Sequence, residues 1–238
     1  MPIIYFDEID STNSYLKREY RGLADRTVAY AKHQTAGKGR LGRTWLDDGS
    51  SLTFSILLKD RLDEKRASLL PLLVGASVYN AFLAYGVKSS IKWPNDVLID
   101  GRKCTGILLE AVTEKKLEAL IIGIGINVNN TDFPEDIKKK ATSLRLVTGK
   151  EINREELLQT CLDKFDELYS GYLDKDDSFM KIVKDNSYLD GKDINLNYYG
   201  ENRRCKVISI AEDGRLEVLE NGKVDYLSSG EVTLTKNY

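Results

Sequence analysis

The chain has 238 residues, 42% hydrophobic and 30% charged, with 35 lysines and arginines against 37 aspartates and glutamates. That length suffices for one sizeable core plus a small appended unit, and the near balance of charge excludes a bulk field that would draw the protein to nucleic acid or to an anionic membrane. A single histidine, His33, and three dispersed cysteines, Cys104, Cys161 and Cys205, exclude a multi-histidine metal centre, a zinc ribbon and a dithiol redox pair.

Ile3 to Phe6 reads as a short strand that stops at Asp7, and no basic stretch precedes it, so no secretory signal is expected. Asp10, Ser11, Thr12 and Asn13 offer N-caps for a helix through Tyr15, Leu16 and Tyr20. Thr27 to Lys32 and Ser51 to Leu58 are strand candidates on either side of a glycine-rich loop, which therefore joins two strands and does not open a helix as a nucleotide P-loop does. Leu69 to Phe82 has helical apolar spacing with Pro71 near its first turn. Its longest largely apolar run, Leu69 to Tyr79, falls short of the roughly 20 residues of a membrane span.

Ser90 to Trp93 is strand-like, Pro94-Asn95-Asp96 interrupts it, and Val97 to Ile99 resumes before an Asp100-Gly101 turn, predicting a β-ribbon with a polar bulge. Lys103 to Val112 and Leu117 to Asn127 form a hairpin pattern across residues 113–116. Asn153 with Glu156 starts a helix whose apolar stripe runs from Leu158 through Cys161, Leu162, Phe165, Leu168 and Tyr169 to Tyr172. Beyond Ser187 short strands alternate with Asp190-Gly191, Asp213-Gly214 and Asn221-Gly222, so residues 188–238 read as a small β-barrel. Val207, Ile208, Ile210, Val218, Leu219, Val224, Tyr226 and Leu227 are its core candidates. The division expected is 1–187 and 188–238.

Three clusters carry chemistry. Gly37-Lys38-Gly39-Arg40-Leu41-Gly42-Arg43-Thr44-Trp45 combines glycines, which allow close backbone approach, with forked cations matched to carboxylate and phosphate. It suits two anions held together, and a plain solvated connection is the other reading. Lys92-Trp93-Pro94-Asn95-Asp96 gathers a cation, an amide and a carboxylate at a break in strand pairing, a candidate for phosphate and Mg²⁺ or simply a turn. Lys103 opens a strand leading to Gly106 and Glu110, and Gly123-Ile124-Gly125-Ile126-Asn127-Val128-Asn129 is a glycine-bearing strand ending in asparagines.

Taken in order, these segments resemble the biotin protein ligase family from Tyr5 onward. The matching blocks are Asp10 to Asn13, Gln34 to Trp45, Lys92 to Asp96, Lys103 with Gly106 to Glu110, and Gly123 to Asn127. Ala141-Thr142-Ser143-Leu144 and Ser228-Ser229-Gly230-Glu231-Val232 are similar to later family segments.

The resemblance implies an α+β catalytic domain, a mixed sheet backed by helices, with a C-terminal barrel of the Src-homology type. It implies a cytoplasmic enzyme that joins biotin to ATP as biotinyl-5′-AMP, with Mg²⁺, and then modifies a lysine of a biotin carboxyl carrier domain. By the same resemblance Ser11, Thr12, Asn13, Gln34, Gly37, Lys38, Gly39, Arg40, Lys103 and Gly106 line the biotin site. Arg40, Arg43, Trp45, Lys92, Asn95, Asp96 and Asn127 face the nucleotide, and Lys103 with Arg40 is catalytic. Lys38 stands where the bacterial pattern commonly has arginine. Repressor members carry an N-terminal DNA-binding domain, whereas this chain begins near the first catalytic strand, so operator binding is not expected. A homodimer would suit the family. A lipoate ligase and a nucleic-acid-binding module are the competing readings.

Overall fold

The computed structural model describes residues 1–198, 201–228 and 230–234. Strands β1 (Ile3–Ile9), β2 (Val28–Gln34), β3 (Leu52–Leu58), β4 (Ser90–Lys92), β5 (Asp96–Ile99), β6 (Arg102–Thr113) and β7 (Leu117–Ile126) form a mixed sheet ordered β1-β2-β3-β7-β6-β5-β4. Only β1 and β2 run parallel. Strands β8 (Asp193–Tyr198), β9 (Glu201–Ile210), β10 (Leu216–Glu220), β11 (Lys223–Leu227) and β12 (Glu231–Leu234) make a second, antiparallel sheet ordered β11-β10-β9-β8-β12. The helices are α1 (Thr12–Glu19), α2 (Leu70–Ala84), α3 (Leu144–Thr148), α4 (Arg154–Leu173) and α5 (Phe179–Asp185).

Because side chains alternate along a strand, register assigns each residue of the large sheet to a face. Val28, Tyr30, Phe54, Ile56, Ile107, Ile122 and Ile124 share one face and enter a core with the buried residues of α2 and α4. The opposite face is apolar only at one end, where Leu16 and Tyr20 of α1 meet Ala29, Leu57, Ala119 and Ile121. Farther along that face two rows are built of small and polar residues. Lys92, Asp96, Gly106, Gly125 and Thr53 are successive cross-strand neighbours in the first. Leu108, Gly123 and Ser55 are neighbours in the second. Apart from Lys92 and Leu108 these rows carry only glycines and short polar side chains, which leaves room over Gly106, Gly123 and Gly125 for another chain segment or a ligand.

Local chemistry explains the boundaries. Ser11 caps α1 by accepting from Ser14 N, and Asn153 caps α4 by accepting from the amides of Glu155 and Glu156. Asp100-Gly101 and Asn221-Gly222 both have positive φ at the two central positions, as a type I′ hairpin requires. Replacing Asn153 by Ala should lower unfolding stability by about 1 kcal/mol, measured by chemical denaturation. Helices α3 and α5 were not among the sequence expectations; each is under three turns, too short for a periodic signal.

Two expectations need correction. The C-terminal strands do not close into a barrel: among the described residues the pairing ends at β11 on one side and β12 on the other. Half of its proposed core also faces outward, since Ile208, Leu219, Val224 and Tyr226 are exposed while Val207, Ile210, Val218 and Leu227 are buried. A register shift between β9 and β10 at Glu217/Val218 lets both Val207 and Ile210 face the core, while β11 is exposed from Lys223 to Tyr226 and turns inward only at Leu227. Ser229 lies outside the described residues. Second, residues 67–84 are long and apolar enough to cross a membrane by length and composition. The fold supplies a reason for this apolarity, since α2 is buried from Leu70 to Val78 at all but one position and again at Ala81 and Phe82.

The two sheets share one core, which runs from Val28 to Val232. Trp93 sits at the junction, 2% exposed, and its indole Nε1 donates to Gly214 O at 2.9 Å. Trp93→Phe should cost roughly 1 kcal/mol of stability, because it removes the indole's hydrogen bond to the part-buried Gly214 carbonyl; equilibrium urea unfolding would show it.

Candidate functional site

The loop between β2 and β3 folds back on itself as a small tongue over the small-residue rows. Lys38 and Thr44 pair as an antiparallel bridge, Gly39 N donates to Arg43 O at 2.7 Å, and Trp45 N donates to Gly37 O at 3.0 Å. The three tongue glycines divide the work between them. Only Gly42 has a positive φ, and Leu41 beside it adopts φ 55. Gly37 is needed for proximity, since a Cβ there would lie 2.7 Å from Trp45 O. Under the tongue lies a cleft of about 750 Å³ lined by residues from Thr35 to Thr44 and, from the sheet, by Leu108 and Glu110.

The floor is the first small-residue row. The indole of Trp45 lies so close over it that a Cβ on Gly125 would sit 2.5 Å from Trp45 Cε2, and one on Gly106 3.0 Å from Cζ3. Trp45 Nε1 is buried without a hydrogen-bond partner. Lys103 Nζ reaches the same spot, 3.1 Å from where a Gly106 Cβ would be, and forms an ion pair with Asp96 Oδ1 at 2.7 Å. The approach is ill-directed for a hydrogen bond, so Asp96 Oδ1 is buried with its directional capacity unused.

Asn95 locks the bulge and the tongue together. Its Nδ2 donates to Ile107 O at 2.7 Å, Ile107 N donates to its backbone O, and its Oδ1 accepts from Arg40 Nη1 at 2.9 Å. Lys92 lies one register position beyond Asp96 in the same row. Lys103 is stitched into place by the strap at residues 140–142: its N donates to Lys140 O and its O accepts from Thr142 N. Asn127 braces this strap from beneath, its Nδ2 donating to Thr142 O at 3.0 Å and to Lys103 O at 3.5 Å.

Beside the cleft the α1 start supplies a buried polar chain that reaches the lining at Glu110. Gln34 Oε1 accepts from Thr12 N at 2.8 Å, Thr12 Oγ1 lies 2.6 Å from Ser55 Oγ, Ser55 donates to Asn13 Oδ1, and Asn13 Nδ2 donates to Glu110 Oε2 at 2.9 Å. Since the Ser55 proton goes to Asn13, the Thr12 proton goes to Ser55, and Gln34 is held by the backbone amide. Asn13 needs Gly123 beneath it, where a Cβ would lie 2.3 Å from its Oδ1. Ser11 is buried and serves as the α1 cap.

The candidates thus fall into two groups on the same face of the large sheet: Ser11, Thr12, Asn13 and Gln34 around the α1 start, and Arg40, Trp45, Lys92, Asn95, Asp96, Lys103, Gly106 and Asn127 around the first small-residue row. Gly37, Lys38, Gly39 and Arg43 lie on the tongue between them. Sequence reasoning assigned no role to Ser55, Glu110 or Asp47. The available signal for Ser55 was a pair of hydroxyl residues, Thr53 and Ser55, at alternate positions of an otherwise aliphatic strand. His33, the one histidine, is on β2 and contacts Glu8, whose carboxylate raises its pKa above the ordinary imidazole value. All three cysteines are free and buried, and burial pushes the Cys161 thiol up to about 12.

Residues 5–127 match the biotin/lipoate A/B protein ligase family. The bifunctional ligase/repressor BirA of Bacillus subtilis is 32% identical over 98% of this chain and 74% of its own. A biotin–[acetyl-CoA-carboxylase] ligase of Paracoccus denitrificans is 32% identical over 66% of this chain and 68% of its own. Among solved structures, the biotin protein ligase of Aquifex aeolicus in complex with biotin and ATP superposes with a TM-score of 0.86 at 32% identity, covering 99% of each chain. With a matched catalytic region, a matched fold and a relative aligned over nearly its whole length, this chain belongs to the biotin/lipoate A/B protein ligase family.

Proposed function

We infer that the protein is a biotin protein ligase, which activates biotin with ATP and transfers it to a lysine of a biotin carboxyl carrier domain of a carboxylase. The observation that carries this reading is the cationic tongue itself, which lines the cleft with Lys38, Arg40 and Arg43, is tied through Arg40 to Asn95 beside the Lys103–Asp96 pair, and at its stem meets the buried chain of Gln34, Thr12 and Asn13. A urea ring offers two N–H donors and one carbonyl, which suits the chain of Thr12, Asn13 and Gln34, with Ser11 at the helix cap. Biotin's carboxylate then extends toward Lys103 and Arg40, along the wall formed by Gly37, Lys38, Gly39 and Gly106.

In the first step a carboxylate oxygen bonds to the α-phosphorus of ATP while the bond to pyrophosphate breaks. In the second the carrier lysine's amine attacks the mixed-anhydride carbonyl, and AMP leaves. No enzyme nucleophile is required. The protein's task is to hold two repelling anions in line and to neutralise charge in the transition state. Lys103 is a fixed cation at the meeting point, and Arg40 is aimed there by Asn95. Arg43, Trp45, Lys92 and Asn127 complete the nucleotide side.

Among the described residues no three His, Cys, Asp or Glu side chains gather as a metal cage. A buried carboxylate oxygen without a directed partner, at Asp96, fits a Mg²⁺ ion that takes its other ligands from phosphates and water. Bound there, the ion would draw charge from the phosphate oxygens. The C-terminal sheet, an incompletely closed barrel of the Src-homology kind in this reading, backs the bulge through Trp93. Three buried reduced cysteines suit the cytoplasm.

Incubating the enzyme with biotin, Mg-ATP and a biotin carboxyl carrier domain should add one biotinyl group to one lysine, read by mass spectrometry. No mass gain with biotin, or an equal gain with lipoate, would overturn the assignment.

A further inference from the structure

The base of the tongue is closed by a side chain to which the mechanism above gives no part. Asp47 Oδ2 accepts from Gln34 N at 2.9 Å and Oδ1 accepts from Gly49 N at 3.0 Å, while Thr53 Oγ1, which donates to Ala31 O at 3.2 Å, lies 3.5 Å from Oδ2. Gln34 is where the chain leaves the sheet to enter the tongue, and its side chain is part of the polar chain with Thr12. Trp45, two residues before Asp47, covers Gly106 and Gly125. One carboxylate therefore ties the outgoing stem, the returning stem and the rim of the neutral pocket.

Its ionised form is held at a cost. Burial raises the Asp47 carboxyl above the ordinary aspartate range, against the opposing pull of the Gln34 and Gly49 amides, His33 and Arg154. For a carboxylate raised in the folded state, the linked stability is present at low pH and lost as pH rises through the folded value, so at neutral pH the charge works against folding. A charge kept under those terms marks a position where geometry outranks stability.

We propose that Asp47 is a positioning residue whose carboxylate latches the cationic tongue to Gln34 and thereby sets how long the acyl-adenylate is retained before transfer. This rests on the ligase reading. The full-length enzyme and its Asp47→Ala and Asp47→Asn variants would be loaded with labelled biotin and Mg-ATP, and loss of bound biotinyl-5′-AMP followed after dilution into excess unlabelled biotin. Asp47→Ala should release the adenylate about tenfold faster, the size of one lost hydrogen bond to a charged group. Asp47→Asn keeps one acceptor oxygen but turns an amino group toward an amide donor, so its rate should fall between the two. Its melting temperature at neutral pH should be no lower than the parent's, which a purely structural role would not give. Unchanged release rates in both variants, with lowered melting temperatures, overturn the latch while leaving the ligase reading intact. A parent enzyme that makes no adenylate overturns both.

Discussion

Lys103→Ala should reduce formation of biotinyl-5′-AMP by about 10²- to 10³-fold, the range seen when one preorganised charge-stabilising group is removed from an active site. The side chain is 40% exposed, and the hydrogen bonds from its backbone to Lys140 and Thr142 remain, so the strap and the strand survive the change. What is lost is the cation beside Asp96 at the point where two anions must meet. Pyrophosphate release, measured with saturating biotin and ATP, is the direct readout. A variant releasing pyrophosphate at the parental rate would remove Lys103 from the chemistry.

Gly125→Ala should cost on the order of 10²-fold in kcat/KM for ATP while leaving the fold intact. The added methyl would meet the indole of Trp45 at 2.5 Å, and the ring has no flexible end with which to yield. Trp45 is carried by the tongue, so the tongue must lift from the floor. The chain has two tryptophans, and Trp93 is fully covered at the junction of the sheets. A red shift in indole emission on substitution would therefore report Trp45 leaving its place. Unaltered emission with normal ATP dependence would mean the methyl is absorbed elsewhere.

Much of this was legible in the sequence because the relevant signals were local. The strand-loop-strand placement of the tongue followed from β-branched runs on both sides of it, and the α4 boundary from Asn153 and Glu156. The type I′ turns followed from Asp100-Gly101 and Asn221-Gly222. Register was not legible. That Gly106 would lie opposite Gly125, and Gly123 beside Ser55, depends on pairing between strands far apart in the chain, and one residue of slip would have sent all of them to the other face. The same limit hid Asp47, whose carboxylate reaches back to Gln34 on β2. It also hid the double use of Asn127, whose amide braces the strap behind Lys103. At the C-terminus turn spacing reports hairpins, and hairpins do not decide whether the edge strands β11 and β12 meet.

The contact between Trp93 and the 211–214 turn bears on how the molecule could be divided. The indole stands three residues before Asp96, and Leu69 and Leu72 at the start of α2 press on the same turn. A chain severed ahead of β8 would leave this aromatic and its leucine neighbours bare to water, and the freed surface would stick to other copies before it could bind a nucleotide. The two sheets thus share the surface that either piece would need covered, and a minimal enzyme should keep the 211–214 turn with Trp93.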